Sequence, residues 1–77
     1  MRDVPAFPGM RDEDLAMLLA RGKSFGYSAY LRGDEVHYES QERGVRFRLE
    51  ISVEWPLSRY EELFALAGFQ IERRFDA

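Results

Sequence analysis

His37 is the single histidine of this 77-residue chain, and imidazole is the side chain whose ordinary pKa lies nearest neutrality. Glu39 follows at i+2, so on a strand the two share a face, an arrangement in which a carboxylate can orient a general base. The plainer reading of His37 is a surface residue on the polar side of a sheet. Arg46 and Arg48, with Arg43 nearby, form a basic stripe, and Glu39, Glu50 and Glu54 stand at neighbouring strand positions. Such a stripe has the chemistry of an anion or carboxylate contact. Its mixed sign equally suits cross-strand ion pairs on a solvated face. Trp55 and the tyrosines Tyr27, Tyr30, Tyr38 and Tyr60 have rings that line pockets and interfaces, and that also fill cores. His37, Tyr38, Arg46, Arg48 and Trp55 are therefore the candidate substrate or partner contacts. With no cysteine and one histidine, neither a thiolate site nor a multi-histidine site can be assembled. No catalytic, cofactor-binding or metal-binding set emerges.

The elements that must position these residues are legible in the patterning. From Val45 to Trp55 every odd position is apolar and every even one polar, as a long half-buried β-strand requires. Val36 to Ser40 reads as a strand with Val36 and Tyr38 on one face and His37 and Glu39 on the other. Ser24 to Leu31 reads as another, with Tyr27, Ala29 and Leu31 together. The turns Arg32–Glu35 and Gln41–Gly44 are too short for parallel crossovers, so the three strands form an antiparallel meander. Arg32, Gly33 and Asp34 also match the integrin-binding tripeptide, which here falls in a turn.

Two helices bracket the meander. Asp12 to Gly22 has Asp12, Glu13 and Asp14 at its start, Arg21 near its end, and Gly22 as a stop, in accord with the helix dipole. Leu15, Leu18 and Leu19 fall on one face. After Pro56, Ser58 precedes Glu61 by three residues, a capping-box spacing. Tyr60, Leu63, Phe64 and Ala67 make an i, i+3, i+4, i+7 stripe for packing on a sheet. Gly68 can then take the left-handed position, with Phe69 touching Phe64. Phe69, Ile71, Arg73 and Phe75 alternate as a last strand. Met1 to Arg11, with Pro5, Pro8 and Gly9, reads as an extended arm that Val4 and Phe7 can tack onto the body. The fold class is α+β, in one small domain over residues 1–77.

Composition narrows the classes of function. A chain this short buries roughly 60–65% of its extended surface. Below about 80 residues stability often depends on a staple or a partner. Aromatic residues make up 14% of the chain, a heavy load for so thin a core, which points to self-association or a missing neighbour. The net charge of −3 argues against a nucleic-acid role. No apolar run approaches the ~18 residues of a membrane span. The lack of cysteine is compatible with a cytoplasmic location.

The tail from about His37 to Ala77 resembles the C-terminal part of class I S-adenosylmethionine-dependent methyltransferases. The resembling residues are the alternating strand Val45–Trp55 and the run Leu57-Ser58-Arg59-Tyr60-Glu61-Glu62-Leu63-Phe64-Ala65-Leu66-Ala67-Gly68-Phe69, completed by Gln70, Ile71 and Glu72. In that family, strands with charged outer faces are followed by a Ser-led helix ending in Ala-Gly-Phe and a strand that joins the edge of the main sheet. The family holds its cofactor on an N-terminal Rossmann-like half with a glycine-rich loop. Here no two of Gly9, Gly22, Gly26, Gly33, Gly44 and Gly68 are spaced as Gly-x-Gly, and none of the family's cofactor residues can be carried onto this chain. A last strand of the family's sheet also has no counterpart. The resemblance implies the substrate-side C-terminal portion of a methyltransferase, inactive alone, with S-adenosylmethionine bound only if a missing catalytic half completes it. The competing expectation is a non-enzymatic α+β association module, a homodimer or a binder of a protein partner. A third is a small apolar-ligand binder using the aromatic face.

Overall fold

The computed structural model describes residues 2–4 and 10–74. In chain order the elements are β1 (Arg2–Val4), α1 (Asp12–Arg21), a 3₁₀ turn (Gly22–Phe25), β2 (Ser28–Arg32), β3 (Glu35–Ser40), β4 (Val45–Glu50), α2 (Leu57–Leu66) and β5 (Glu72–Arg73). The fold is α+β. β2, β3 and β4 form the antiparallel meander, and β5 lies parallel to β2. β1 adds a fifth strand, parallel to β4, at the opposite edge, so the order is β1-β4-β3-β2-β5. The extended arm thus joins the sheet by its backbone at Val4, opposite Phe47. Pro5, Phe7, Pro8, Gly9 and Phe75 lie outside the described residues.

The hairpin between β2 and β3 turns through Gly33 and Asp34. Gly33 has φ +62° at the first central position, a conformation that two-residue hairpins with a II′-like twist reserve for glycine. β3 is the central strand, and it is buried on both faces from Val36 to Ser40. Val36, Tyr38 and Ser40 point toward the helices, His37 and Glu39 away from them.

The core fills the space between the helices and the inner face of the sheet. Leu15 and Leu19 come from α1, Ala29, Val36, Tyr38 and Leu49 from the meander, and Tyr60, Leu63 and Phe64 from α2, with Ala67 just after it. The helical stripe Tyr60–Leu63–Phe64–Ala67 is therefore the packing face, as its spacing predicts. Leu18 is instead exposed, because the face of α1 that meets the sheet is set by Leu15 and Leu19. Tyr38 sits at the centre. Its ring stacks on Tyr27 at 4.5 Å and meets Phe47, Phe64 and Phe69 at 6.0, 5.7 and 5.5 Å.

The stop of α2 has the Schellman geometry that the sequence suggests. Gly68 is left-handed at φ +85°. The Phe69 amide donates to the Phe64 carbonyl at 2.8 Å and the Gly68 amide to the Ala65 carbonyl at 3.0 Å. The two phenylalanine rings meet edge to face at 6.1 Å.

Five expectations are corrected. The alternation over Val45–Trp55 is longer than the strand, which ends at Glu50. Glu50 pairs with Glu35, the first residue of β3, and the last rung is the Ile51 amide on the Asp34 carbonyl at 3.0 Å. Beyond that point no partner strand remains among the described residues, and Ser52 to Trp55 closes a turn with Val53 almost wholly exposed. Gly22 does not stop the first helix in a left-handed conformation. Its φ is −64°, the chain runs on through the 3₁₀ turn, and Gly26 at φ +72° makes the stop. β2 accordingly begins at Ser28 rather than Ser24. Ser58 is not the N-cap of α2: Pro56 holds that position, with φ −70°, and no side chain caps the helix. Finally, among the described residues the last strand covers Glu72–Arg73, whose register partners on β2 are Tyr30 and Leu31.

Candidate functional site

The helices cover one face of the sheet. The opposite face carries the polar positions of the meander in ranks across the strands. Tyr30, His37 and Arg48 are register partners in one rank, and Ser28, Glu39 and Arg46 in the next. Glu72 of β5 stands beside Tyr30. Arg32, Glu35 and Glu50 make the rank nearest the β2–β3 turn. Two of the five candidate contacts, Arg46 and Arg48, thus lie beside His37, and the basic stripe and the histidine form one surface.

His37 does not behave as a surface histidine. It is 4% exposed and its ring stacks on Tyr30, nearly parallel, at 4.9 Å. Tyr30 is itself buried, and the Arg74 guanidinium lies 3.8 Å from its ring centroid. Since β2 lies between β3 and β5, the tyrosine ring separates the imidazole from the guanidinium. Arg74 also approaches Glu72 at 3.9 Å. Neither ring nitrogen of His37 makes a hydrogen bond among the described residues, although Nε2 is 3.4 Å from Glu35 Oε1. That approach is within the reach of charge and outside good hydrogen-bond alignment. Burial holds the imidazole's pKa below its ordinary value. The Glu35 carboxylate opposes that shift, and Arg46 adds to it. Glu39, the partner a general base would want, is buried on the same face.

The other two candidates go elsewhere. Tyr38 is a core residue: its hydroxyl donates to the Leu19 carbonyl at 2.7 Å, and burial, reinforced by Tyr27, raises its pKa well above the ordinary tyrosine value. Trp55 lies beyond the end of β4. It stacks on Tyr60 at 5.0 Å and carries the Arg59 guanidinium at 3.6 Å from its ring centroid. Arg59 donates to the Glu54 carbonyl and reaches Asp12 of α1, so this cluster ties the two helices and the loop together. The Tyr60 hydroxyl donates to the Glu50 carbonyl at 2.7 Å and fixes the end of β4 to α2.

Sequence reasoning passed over Arg74 and Tyr30 as partners of His37. Alternation places Tyr30 opposite His37 once the hairpin register is known, but the approach of β5 has no local signature. It also passed over an open depression of about 780 Å³ beside β5, lined by Glu61, Ala65, Phe69, Gln70, Ile71, Glu72 and Arg73. Glu61 and Arg73 face each other across it at 4.0 Å.

Fold and surface together define a small α+β domain with helices on one side of a mixed sheet and a charged, aromatic face on the other. Comparison with known protein families, with curated proteins and with solved structures yields no match. Among the described residues no group of three or more potential ligands is placed to hold a metal ion. No helix among them is long and apolar enough to cross a membrane.

Proposed function

We propose that this chain is the substrate-side C-terminal portion of a class I S-adenosylmethionine-dependent methyltransferase, inactive alone and completed by a separate catalytic half. The unit β4–α2–β5 carries this reading. It is built from the residues that resemble the family's tail, with the Ala67-Gly68-Phe69 stop folding Phe69 onto Phe64 and sending β5 to the sheet edge. In this reading the catalytic half supplies the cofactor site, and the face bearing His37, Arg46 and Arg48 is the side turned to the methyl acceptor. Calorimetry of the isolated chain with S-adenosylmethionine tests it. No saturable heat is expected, and tight binding by this chain alone overturns it. A glycine-rich cofactor loop encoded directly upstream, or carried by a protein that co-purifies with the chain, is the positive result.

A second reading, a non-enzymatic module that forms a homodimer or binds a protein partner, is favoured by a different observation. Leu66 of α2 is 75% exposed and Met17 of α1 60%, an uncovered apolar load on the helical layer. Light scattering across a concentration series decides the homodimer form: a monomer throughout removes it.

A further inference from the structure

Two of the groups on the outer face of the sheet behave unlike ordinary surface residues, and they are joined through one ring. His37 is buried with both ring nitrogens lacking a hydrogen-bond partner among the described residues. β5 is the shortest attachment in the sheet's described C-terminal half. Only two of its residues pair with β2, followed by the Arg74 amide on the Leu31 carbonyl at 3.2 Å. Tyr30 connects the two. It pairs with Glu72 in register, carries Arg74 on its ring, and stacks on His37.

A neutral imidazole in that place leaves one unmet acceptor and one unmet donor. A protonated one has two donors to satisfy and a charge to hydrate. Glu35 stands 3.4 Å from Nε2 and can meet one of those donors, but Nδ1 has no partner among the described residues. A buried charge that is only partly paired is costly, so the protonated ring is driven toward water.

The groups facing the ring decide whether they can hold the charge instead. From β3 these are Glu35, at 3.4 Å, and Glu39, both of which favour the proton. From β4 they are Arg48, the register partner, and Arg46, which disfavours it. From β2, Tyr30 covers the ring and Arg32 stands opposite Glu35. From β5 and beyond, Glu72 and Arg74 sit across Tyr30, a carboxylate and a guanidinium 3.9 Å apart. Glu39 stands opposite Arg46, and Glu35 stands between Arg32 and a second carboxylate, Glu50 of β4. Burial, the largest influence on the ring, tips the balance against the imidazolium.

We propose that His37 is a proton-operated latch: taking up one proton turns its ring out of the stack on Tyr30 and releases β5 from the edge of the sheet. The backbone of β3, paired on both sides, stays in place. The movable cover is Tyr30 with Arg74 above it, and losing the His37 stack removes the support on which Arg74 and the short β5 pairing rest. The proposal stands independently of the methyltransferase reading, since it concerns the free chain.

The sign of the effect follows from linkage. The folded pKa lies below the ordinary value of 6.5, so the stability tied to the neutral ring is fully present above about that pH and is lost as pH falls toward the folded pKa. Being the only histidine, His37 gives an unambiguous NMR reporter. The experiment follows its ring signals through an acid titration, alongside hydrogen-exchange protection of the Arg74 amide, in the wild type and in His37→Phe, which keeps a ring on Tyr30 and removes the titration. The expected result is a midpoint below that of free imidazole and at least a tenfold loss of Arg74 protection tracking it in the wild type, absent from His37→Phe. A midpoint at the free-imidazole value overturns the proposal, as does equal loss of protection in both proteins. Should His37→Phe not fold, the wild type still decides: Arg74 protection that stays constant through the histidine midpoint overturns the latch.

Discussion

The Tyr38 hydroxyl occupies the space that a side chain at Gly22 would need. A Cβ built on Gly22 overlaps that oxygen, which is held in place by its bond to the Leu19 carbonyl at 2.7 Å. Gly22 has an ordinary helical φ of −64°, so its requirement is for room and not for an unusual backbone. Gly22→Ala should therefore destabilise by about 1–3 kcal/mol through overpacking, and Tyr38→Phe by about 0.5–1.5 kcal/mol through the loss of a buried hydrogen bond. The double variant should lose less than the sum of the two, because deleting the Tyr38 hydroxyl vacates the space that the new methyl group takes. Denaturant unfolding of the four proteins measures the cycle. Strict additivity would show that the two residues are not in contact.

Phe64 has no exposed surface and closes the Schellman stop with Phe69. Truncation to alanine should cost about 3–5 kcal/mol, against a total of about 5–15 kcal/mol for a domain. Phe64→Ala is expected to be largely unfolded at moderate temperature by circular dichroism. Phe69→Ala, at a half-buried position, should lose less, and Gly68→Asn should be tolerated better than Gly68→Val because the φ of +85° excludes branched side chains.

The end of β4 can be checked at Val53, which is 99% exposed. Val53→Ser should leave stability within about 0.5 kcal/mol of the wild type. A larger loss would mean that the strand runs to Trp55, as its alternation implies, with Val53 packed inside.

Of the chain's four tyrosines, burial raises the pKa of Tyr38 and, opposed by Arg59, of Tyr60. A raised acid pKa means that the stabilisation of the neutral phenol is complete below the ordinary value near 10.0 and is lost as pH rises toward the folded pKa. Following tyrosinate absorbance, at least two tyrosines should ionise late and together with alkaline unfolding. Four independent transitions near the ordinary value would contradict the burial of both rings.

Much of the architecture is carried by local patterning. The meander, the α2 stripe and the Gly68–Phe69 stop each follow from period and turn chemistry within a few residues, so the sequence determines them directly. The face shared by His37, Arg46 and Arg48 follows likewise once the strands are paired. Partner length and long-range approach decide the rest. Alternation persists past Glu50, but β3 begins at Glu35, and the chain before it turns away through Asp34 after one last bond to Ile51. Ser58 has the right spacing for a cap, yet Pro56 takes the N-cap position. His37 looks like a surface residue because its own segment is polar. It is in fact buried, in a place where the register sets Tyr30 against it and β5 brings Arg74 over that tyrosine ring. The pattern of alternation determines which face a side chain takes. Only the tertiary structure decides whether that face meets water, since burial depends on elements far away in the chain.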